Sequence, residues 1–281
     1  MILSTDSTAN LPKELYKELG ISMIPMQILL NNKIYDDLSK ELSPEKYYQQ
    51  MREGATPTTA QINEATCEEY FENLLKSGED ILHIAFSSAL SGTYEVTKRV
   101  AEDLNAKNKN KIVVINSLNA SMGQGLLVLK AHELIKAGKG IDEVASEVEK
   151  LVPYACSYFT VDQLKYLVRG GRVSKFSGAL GTLLNIKPIL RVDEEGRLVA
   201  YKKVMSRGKS LSTLADICAE KIADKSIVYI THAESKADAE KLAGILKDKL
   251  NVTPIITDLT QVIGCHTGPG LIALFFFGNS K

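Results

Sequence analysis

The chain has 281 residues, 34 Lys+Arg balanced by 34 Asp+Glu, and 44% hydrophobic residues, enough for one large or two medium globular domains, with two the working count. A formal net charge of zero supplies no global attraction for phosphate backbones or anionic bilayers, so nucleic acid is not an expected partner. Asp6 interrupts the N-terminus before a hydrophobic region can form, and the longest apolar run, 271–277, is far short of the ~20 residues of a spanning helix; no signal peptide, no transmembrane segment and a cytoplasmic location are expected.

The first half alternates short β-type runs with helical patterns, which predicts a mainly parallel sheet covered by helices. Residues 1–5 read as a strand, 12–19 as a helix opened by Pro12 and closed by Gly20, and 21–30 as one extended run. Ser43-Pro44-Glu45 is an N-cap and first turn for a helix that ends at Gly54. After a loop at 55–62, Asn63 caps a helix to about Lys76, followed by a strand at 81–87. A third crossover begins at Ser91, where Val96, Val100 and Leu104 form an apolar seam, and leads to a strand at 112–115. Helices at 121–137 and 141–151 follow, and Pro153 marks the boundary between two domains, 1–153 and 154–281.

Beyond the boundary, 156–161 reads as a strand, 163–168 and 178–184 as helices, and 188–192 with 197–204 as a hairpin across Asp193-Glu194-Glu195-Gly196. A helix at 210–223, a strand at 227–231, a helix at 237–250 and strands at 253–257 and 271–277 complete a second α/β unit. There is no internal repeat or low-complexity linker, so the two halves are expected to share a substantial interface, where ligand sites tend to fall.

Cys67, Cys156, Cys218 and Cys265 form no CxxC pair, and His83, His132, His232 and His266 have no ligand spacing. Neither a metal nor a redox site is expected, and the thiols are expected to be reduced and mostly buried. The chain also lacks a GxxxxGK(S/T) loop, a GxGxxG after a strand and a GxSxG elbow.

The most informative segment is Ser87-Ser88-Ala89-Leu90-Ser91-Gly92-Thr93-Tyr94, which joins a strand to a helix. With Ser91 as N-cap, the amides of Gly92, Thr93 and Tyr94 face a carboxylate or phosphate, and Gly92 has no side chain to block its approach. The plainer alternative is that Ser91 only caps its own helix. Thr56-Pro57-Thr58-Thr59-Ala60-Gln61 offers three hydroxyls and an amide on a connection. Ile263 to Gly270 reads as an irregular glycine-rich loop that presents His266, and a structural histidine is the alternative there. Arg169-Gly170-Gly171-Arg172 and Arg207-Gly208-Lys209 each supply two cations, suited to an anion, an acidic partner or ordinary surface salt bridges.

In chain order, Asp6-Ser7-Thr8 with Leu11-Pro12, Thr59-Ala60-Gln61, Leu90-Ser91-Gly92-Thr93-Tyr94, Leu167-Val168-Arg169-Gly170-Gly171-Arg172, Lys187-Pro188-Ile189-Leu190 and His266-Thr267-Gly268-Pro269-Gly270 together resemble the DegV family. These are bacterial fatty-acid-binding proteins, some of which act as the lipid-carrying subunit of a fatty acid kinase. The resemblance implies two α/β domains with one fatty acid between them, its acyl chain in an apolar tunnel and its carboxylate near the surface. It places the carboxylate at Thr59 and Ser91 beside Gly92, with His266 next and Arg207 third, and gives Arg169 and Arg172 no role beyond contact with a partner. This chain has Ala60, Ile62 and Asn63 where the family's Thr-Ser-Gln-Pro-Ser loop has serine, proline and serine.

The leading expectation is therefore a non-catalytic carrier of palmitate or another chain of about C14–C18. Burying such a chain at ~0.8 kcal/mol per CH₂ gains on the order of 10 kcal/mol before ordering costs. It would present the carboxylate to a separate ATP-dependent fatty acid kinase for acyl-phosphate formation, with no cofactor, metal or catalytic residue of its own. One alternative is an acyl-transfer or hydrolytic enzyme with Ser91 as nucleophile and His266 as base. Another is a small-anion or regulatory module that needs no acyl tunnel.

Overall fold

Apolar runs of the first half pair as a parallel sheet, because the connections between them contain helices that return the chain to the same end of the sheet. The computed structural model describes residues 1–173 and 186–281, so the helix predicted at 178–184 lies outside the described residues. Strands β1 (Ile2–Asp6), β2 (Ser22–Ile24), β6 (Ile81–Ala85) and β7 (Ile112–Asn116) lie in the order β2-β1-β6-β7, all parallel. Helices α1 (Lys13–Glu18), α3 (Glu64–Leu75), α4 (Thr93–Asn105), α5 (Met122–Lys136) and α6 (Ile141–Leu151) belong to this half. The seam of Val96, Val100 and Leu104 is buried, and the Asn63 side chain caps α3 by accepting the Thr66 amide at 2.9 Å.

The second half forms a six-stranded mixed sheet in the order β10-β9-β8-β13-β11-β12. Its strands are β8 (Ala155–Thr160), β9 (Ile186–Val192), β10 (Leu198–Met205), β11 (Ile222–His232), β12 (Ile255–Asp258) and β13 (Ile272–Gly278). Only β11 and β12 pair in parallel. The predicted hairpin is the β9–β10 pair, and Asp193 closes its turn by accepting the Arg197 amide at 2.8 Å. Alternation along β8 and β13 divides the sheet into two faces. Tyr158, Leu274 and Phe276 pack on Leu214 of α8 (Arg207–Lys221) and Leu242 of α9 (Lys236–Leu250). Phe159, Ala273 and Phe275 join the larger core, which reaches back to the first sheet.

Four sequence readings are corrected. The run at 21–30 is two strands in two sheets, since Pro25 has no N–H for a ladder: β2 joins the parallel sheet, and β3 (Gln27–Leu30) starts a small antiparallel sheet ordered β4-β3-β5. Strand β4 (Lys33–Asp36) was not anticipated; Asn31 and Asn32 both have positive φ (50° and 62°), the requirement of a two-residue hairpin turn. The loop at 55–62 contains β5 (Thr58–Ala60), whose Thr58 and Thr59 pair with Leu29 and Ile28. The tail around His266 is not an irregular loop but helix α10 (Gln261–Thr267). Asp37, 224 residues from Gln261, starts that helix by accepting the amides of Gln261 at 3.1 Å and Val262 at 3.3 Å. Helix α2 (Pro44–Arg52) is opened as predicted by Ser43, and α7 (Lys165–Arg169) covers most of the helix read at 163–168.

Candidate functional site

A cavity of about 310 Å³ lies between the two larger sheets and beneath the small one, at the lower end of the range for small-ligand pockets. Its walls are mostly apolar: Phe86 follows β6, and Phe159, Ala273 and Phe275 come from the inner face of the mixed sheet. In register, Ala273 lies opposite Phe159 and Phe275 opposite Ser157, so the strand periodicity of two lays these four side chains on one surface.

Polar groups gather at the partly exposed mouth, where Thr59, Gln61, Ser91, Gly92, Arg172 and His266 all line the cavity. Ser91 stands one residue earlier than predicted. Gly92 occupies the N-cap position of α4, and Ser91 Oγ accepts the Thr93 amide at 3.2 Å while lying 3.0 Å from Thr93 Oγ1. A Cβ on Gly92 would lie 2.2 Å from Gln61 Oε1; the missing side chain lets the Gln61 amide fold over the start of the helix. Thr59 and Ser91, distant in sequence, thus line the same cavity.

His266 sits in the last turn of α10, with Nε2 2.8 Å from Thr59 Oγ1. Among the described residues its buried Nδ1 has no partner; it lies against Gly170, where a Cβ would come within 2.5 Å of that nitrogen. Burial foremost, then the guanidinium groups of Arg172 and Arg169, pushes the imidazole pKa down to about 4, so it is neutral near pH 7. Arg172 is steadied by donating to the carbonyls of Leu90 and Gly170.

Among the described residues no hydrogen bond joins Ser91 to His266. The nucleophile and base of the enzyme alternative are thus not assembled, each being engaged by a threonine. Arg207 does not line the cavity: its Nε donates to Asp238 at 2.8 Å and its Nη2 to the Gly270 carbonyl at 2.8 Å, so it ties the start of α8 to α9 and to the turn before β13. The resemblance made it the third candidate for the carboxylate, but it takes the salt-bridge alternative, with Asp238 as its partner.

Sequence reasoning did not anticipate Thr8, Ser121 and Ser157 as lining residues, all almost fully buried. Thr8 stood in the Asp6-Ser7-Thr8 motif, whereas Ser121 and Ser157 carry no local signal. All four cysteines are free and buried. Among the described residues no helix is long and apolar enough to cross a membrane, and no group of three or more His, Cys, Asp or Glu side chains is placed to hold a metal ion.

These features define an α/β protein with a polar-headed, apolar-walled cavity between its sheets. The family described as "Uncharacterised protein, DegV family" matches residues 2–279, and the chain belongs to that family. It is 41% identical over 285 residues to a DegV domain-containing protein from Clostridium perfringens, covering 100% of this chain and 98% of that one. Among solved structures it is similar to a DegV family protein from Thermus thermophilus, described for its fatty acid binding, with 31% identity, a TM-score of 0.88 and 99% of both chains covered. It is also similar to DegV of Bacillus subtilis, a fatty acid binding protein, with 29% identity, a TM-score of 0.85 and 98% and 97% of the two chains covered.

Proposed function

We propose that the protein binds one long-chain fatty acid in this cavity, its acyl chain against the mixed-sheet face and its carboxylate at the mouth, and presents that carboxylate to a separate ATP-dependent kinase. The observation that carries the reading is the polarity of the cavity, in which hydroxyls and one guanidinium cluster at a partly exposed mouth over aromatic and aliphatic walls. The relatives described as fatty acid binding support the ligand class.

Each mouth group has a definite task in this reading. A neutral His266 that donates from Nε2 to Thr59 Oγ1 leaves the Thr59 hydroxyl proton free for a carboxylate oxygen. Ser91 accepts the Thr93 amide and turns its own proton to the ligand. Arg172 balances the charge from the rim. Several neutral donors and one half-buried cation hold an anion without the full cost of burying an isolated charge.

The test is organic extraction of the purified protein with mass spectrometry, followed by fatty acid titration. The expected results are near-stoichiometric fatty acid, and a loss of about 1–3 kcal/mol in affinity for both Thr59→Ala and Ser91→Ala, the range for hydrogen bonds to a charged group. Absence of lipid, with no uptake of added fatty acid, overturns the ligand assignment. Acyl phosphate formed from ATP by this protein alone overturns the carrier role.

A further inference from the structure

The cavity has a second polar group, set apart from the mouth by burial. Thr8, Ser121 and Ser157 line it at 1%, 4% and 2% exposure, whereas the mouth residues Thr59, Gln61, Ser91, Gly92, Arg172 and His266 are all partly or fully exposed. Among the described residues no hydrogen bond links the two groups.

The inner group has a particular hydrogen-bonding balance. Ser157 Oγ donates to Asn119 Oδ1 at 2.6 Å, and Asn119 is pinned by donating to the Ala155 carbonyl at 2.7 Å. Thr8 Oγ1 has a single proton, shared between two acceptors within reach, the Asp6 carboxyl and Gln124 Oε1. Both oxygens therefore retain only acceptor capacity. Ser121 differs: it occupies the N-cap position of α5 but makes no capping bond, and among the described residues its buried Oγ has no partner. Its backbone has φ 52° and ψ −145°, a conformation that costs free energy in a non-glycine residue. A buried hydroxyl without a partner is rare enough to need an explanation.

One free donor among spare acceptors matches a neutral hydroxyl, which both gives and takes a hydrogen bond. It does not match a carboxylate, for which a single free donor is too few and the Asp6 carboxyl lies directly behind Thr8. We propose that this inner group is a subsite for a hydroxyl carried along the acyl chain, making hydroxylated long-chain fatty acids preferred ligands and orienting them carboxylate outward. This rests on the fatty acid reading above. The same groups can hold an ordered water instead, and the test separates the two.

The experiment titrates the full-length wild-type protein, Ser121→Ala and Ser157→Ala with octadecanoate and with a positional series of monohydroxyoctadecanoates. A chain hydroxyl buried without partners weakens binding by about ten- to a hundredfold. The expected result is that at least one mid-chain isomer binds wild type more tightly than octadecanoate, and loses about tenfold or more in Ser121→Ala while octadecanoate binding is unchanged or improved. If no hydroxylated isomer binds wild type more tightly than octadecanoate, or if Ser121→Ala weakens both ligand types equally, the subsite is wrong and the group holds water or serves packing. Failure of octadecanoate and of every isomer to bind wild type overturns the fatty acid reading itself. Retained octadecanoate binding also shows that each variant is folded.

Discussion

His266 shows how one side chain acquires its properties from neighbours far away in sequence. An isolated imidazole titrates near 6.5, but burial and the nearby Arg172 and Arg169 hold this one down to about 4. A folded-state pKa below the unfolded value means that its contribution to stability is present above about pH 6.5 and is lost as pH falls towards 4, because the unfolded chain binds the proton first. His83, fully buried beside Ser4 and pushed down to about 3 by burial, acts with the same sign. For His266→Gln the expected outcome is a shallower loss of stability between pH 6.5 and 4, with a difference in slope of at most about 1.4 kcal/mol per pH unit. Denaturant unfolding of both proteins across that range measures it, and parallel slopes refute the neutral, buried state of His266.

At the scale of elements, α10 decides whether the mouth exists, because it carries His266 to Thr59. The helix has seven residues, too few to be stable by itself. Asp37 fixes its start from the segment after β4, with two amides on one carboxylate oxygen. Asp37→Ala leaves those amides without their acceptor, so a stability loss of about 1–3 kcal/mol is expected, accompanied by weaker fatty acid binding as His266 loosens. Asp37→Asn retains an acceptor oxygen and is expected to recover most of both. Burial pushes the Asp37 carboxyl up to about 7, so its stabilisation is complete below about pH 4 and is lost as pH rises through 7. The Asn variant removes that loss, and denaturant midpoints at pH 5 and 8 compare the two. Equal stability of Asp37→Ala and wild type at both pH values refutes the helix-starting role.

At the scale of the whole molecule, the cavity belongs to neither half alone. Its walls come from segments following β1 and β6, from the small sheet, and from the inner face of the mixed sheet. The larger core likewise joins Leu126 and Val148 with Phe159 and Phe275. We propose that residues 1–153 and 154–281 are two structural units that fold cooperatively across this shared core. A ligand seated between them that binds only the folded state stabilises both at once, by about 2.7 kcal/mol at a free concentration a hundredfold above Kd. Delipidated protein titrated with fatty acid in a calorimeter is expected to show a single transition that moves upward with ligand. Two transitions, with only one moving, refute the shared unit.

Local patterning made much of this legible. Apolar runs separated by capped helices specified the parallel sheet, because a strand in such a sheet is buried on both faces and reads as a continuous apolar segment. Ser43 and Asn63 announced their helices because a cap acts within three residues. Thr59, Ser91, Gly92 and His266 were singled out through motif order, and all four line the cavity. Only the tertiary structure decided the rest. The short strands β4 and β5 are stable only as partners of β3, α10 depends on a carboxylate distant in the chain, and Arg207 is consumed by Asp238. The inner hydroxyls of Ser121 and Ser157 become a group only where α5 meets the mixed sheet. Periodicity and capping are short-range and leave their mark on neighbouring residues, whereas a cavity is the space left between surfaces brought together by long-range packing, and no local pattern encodes its shape.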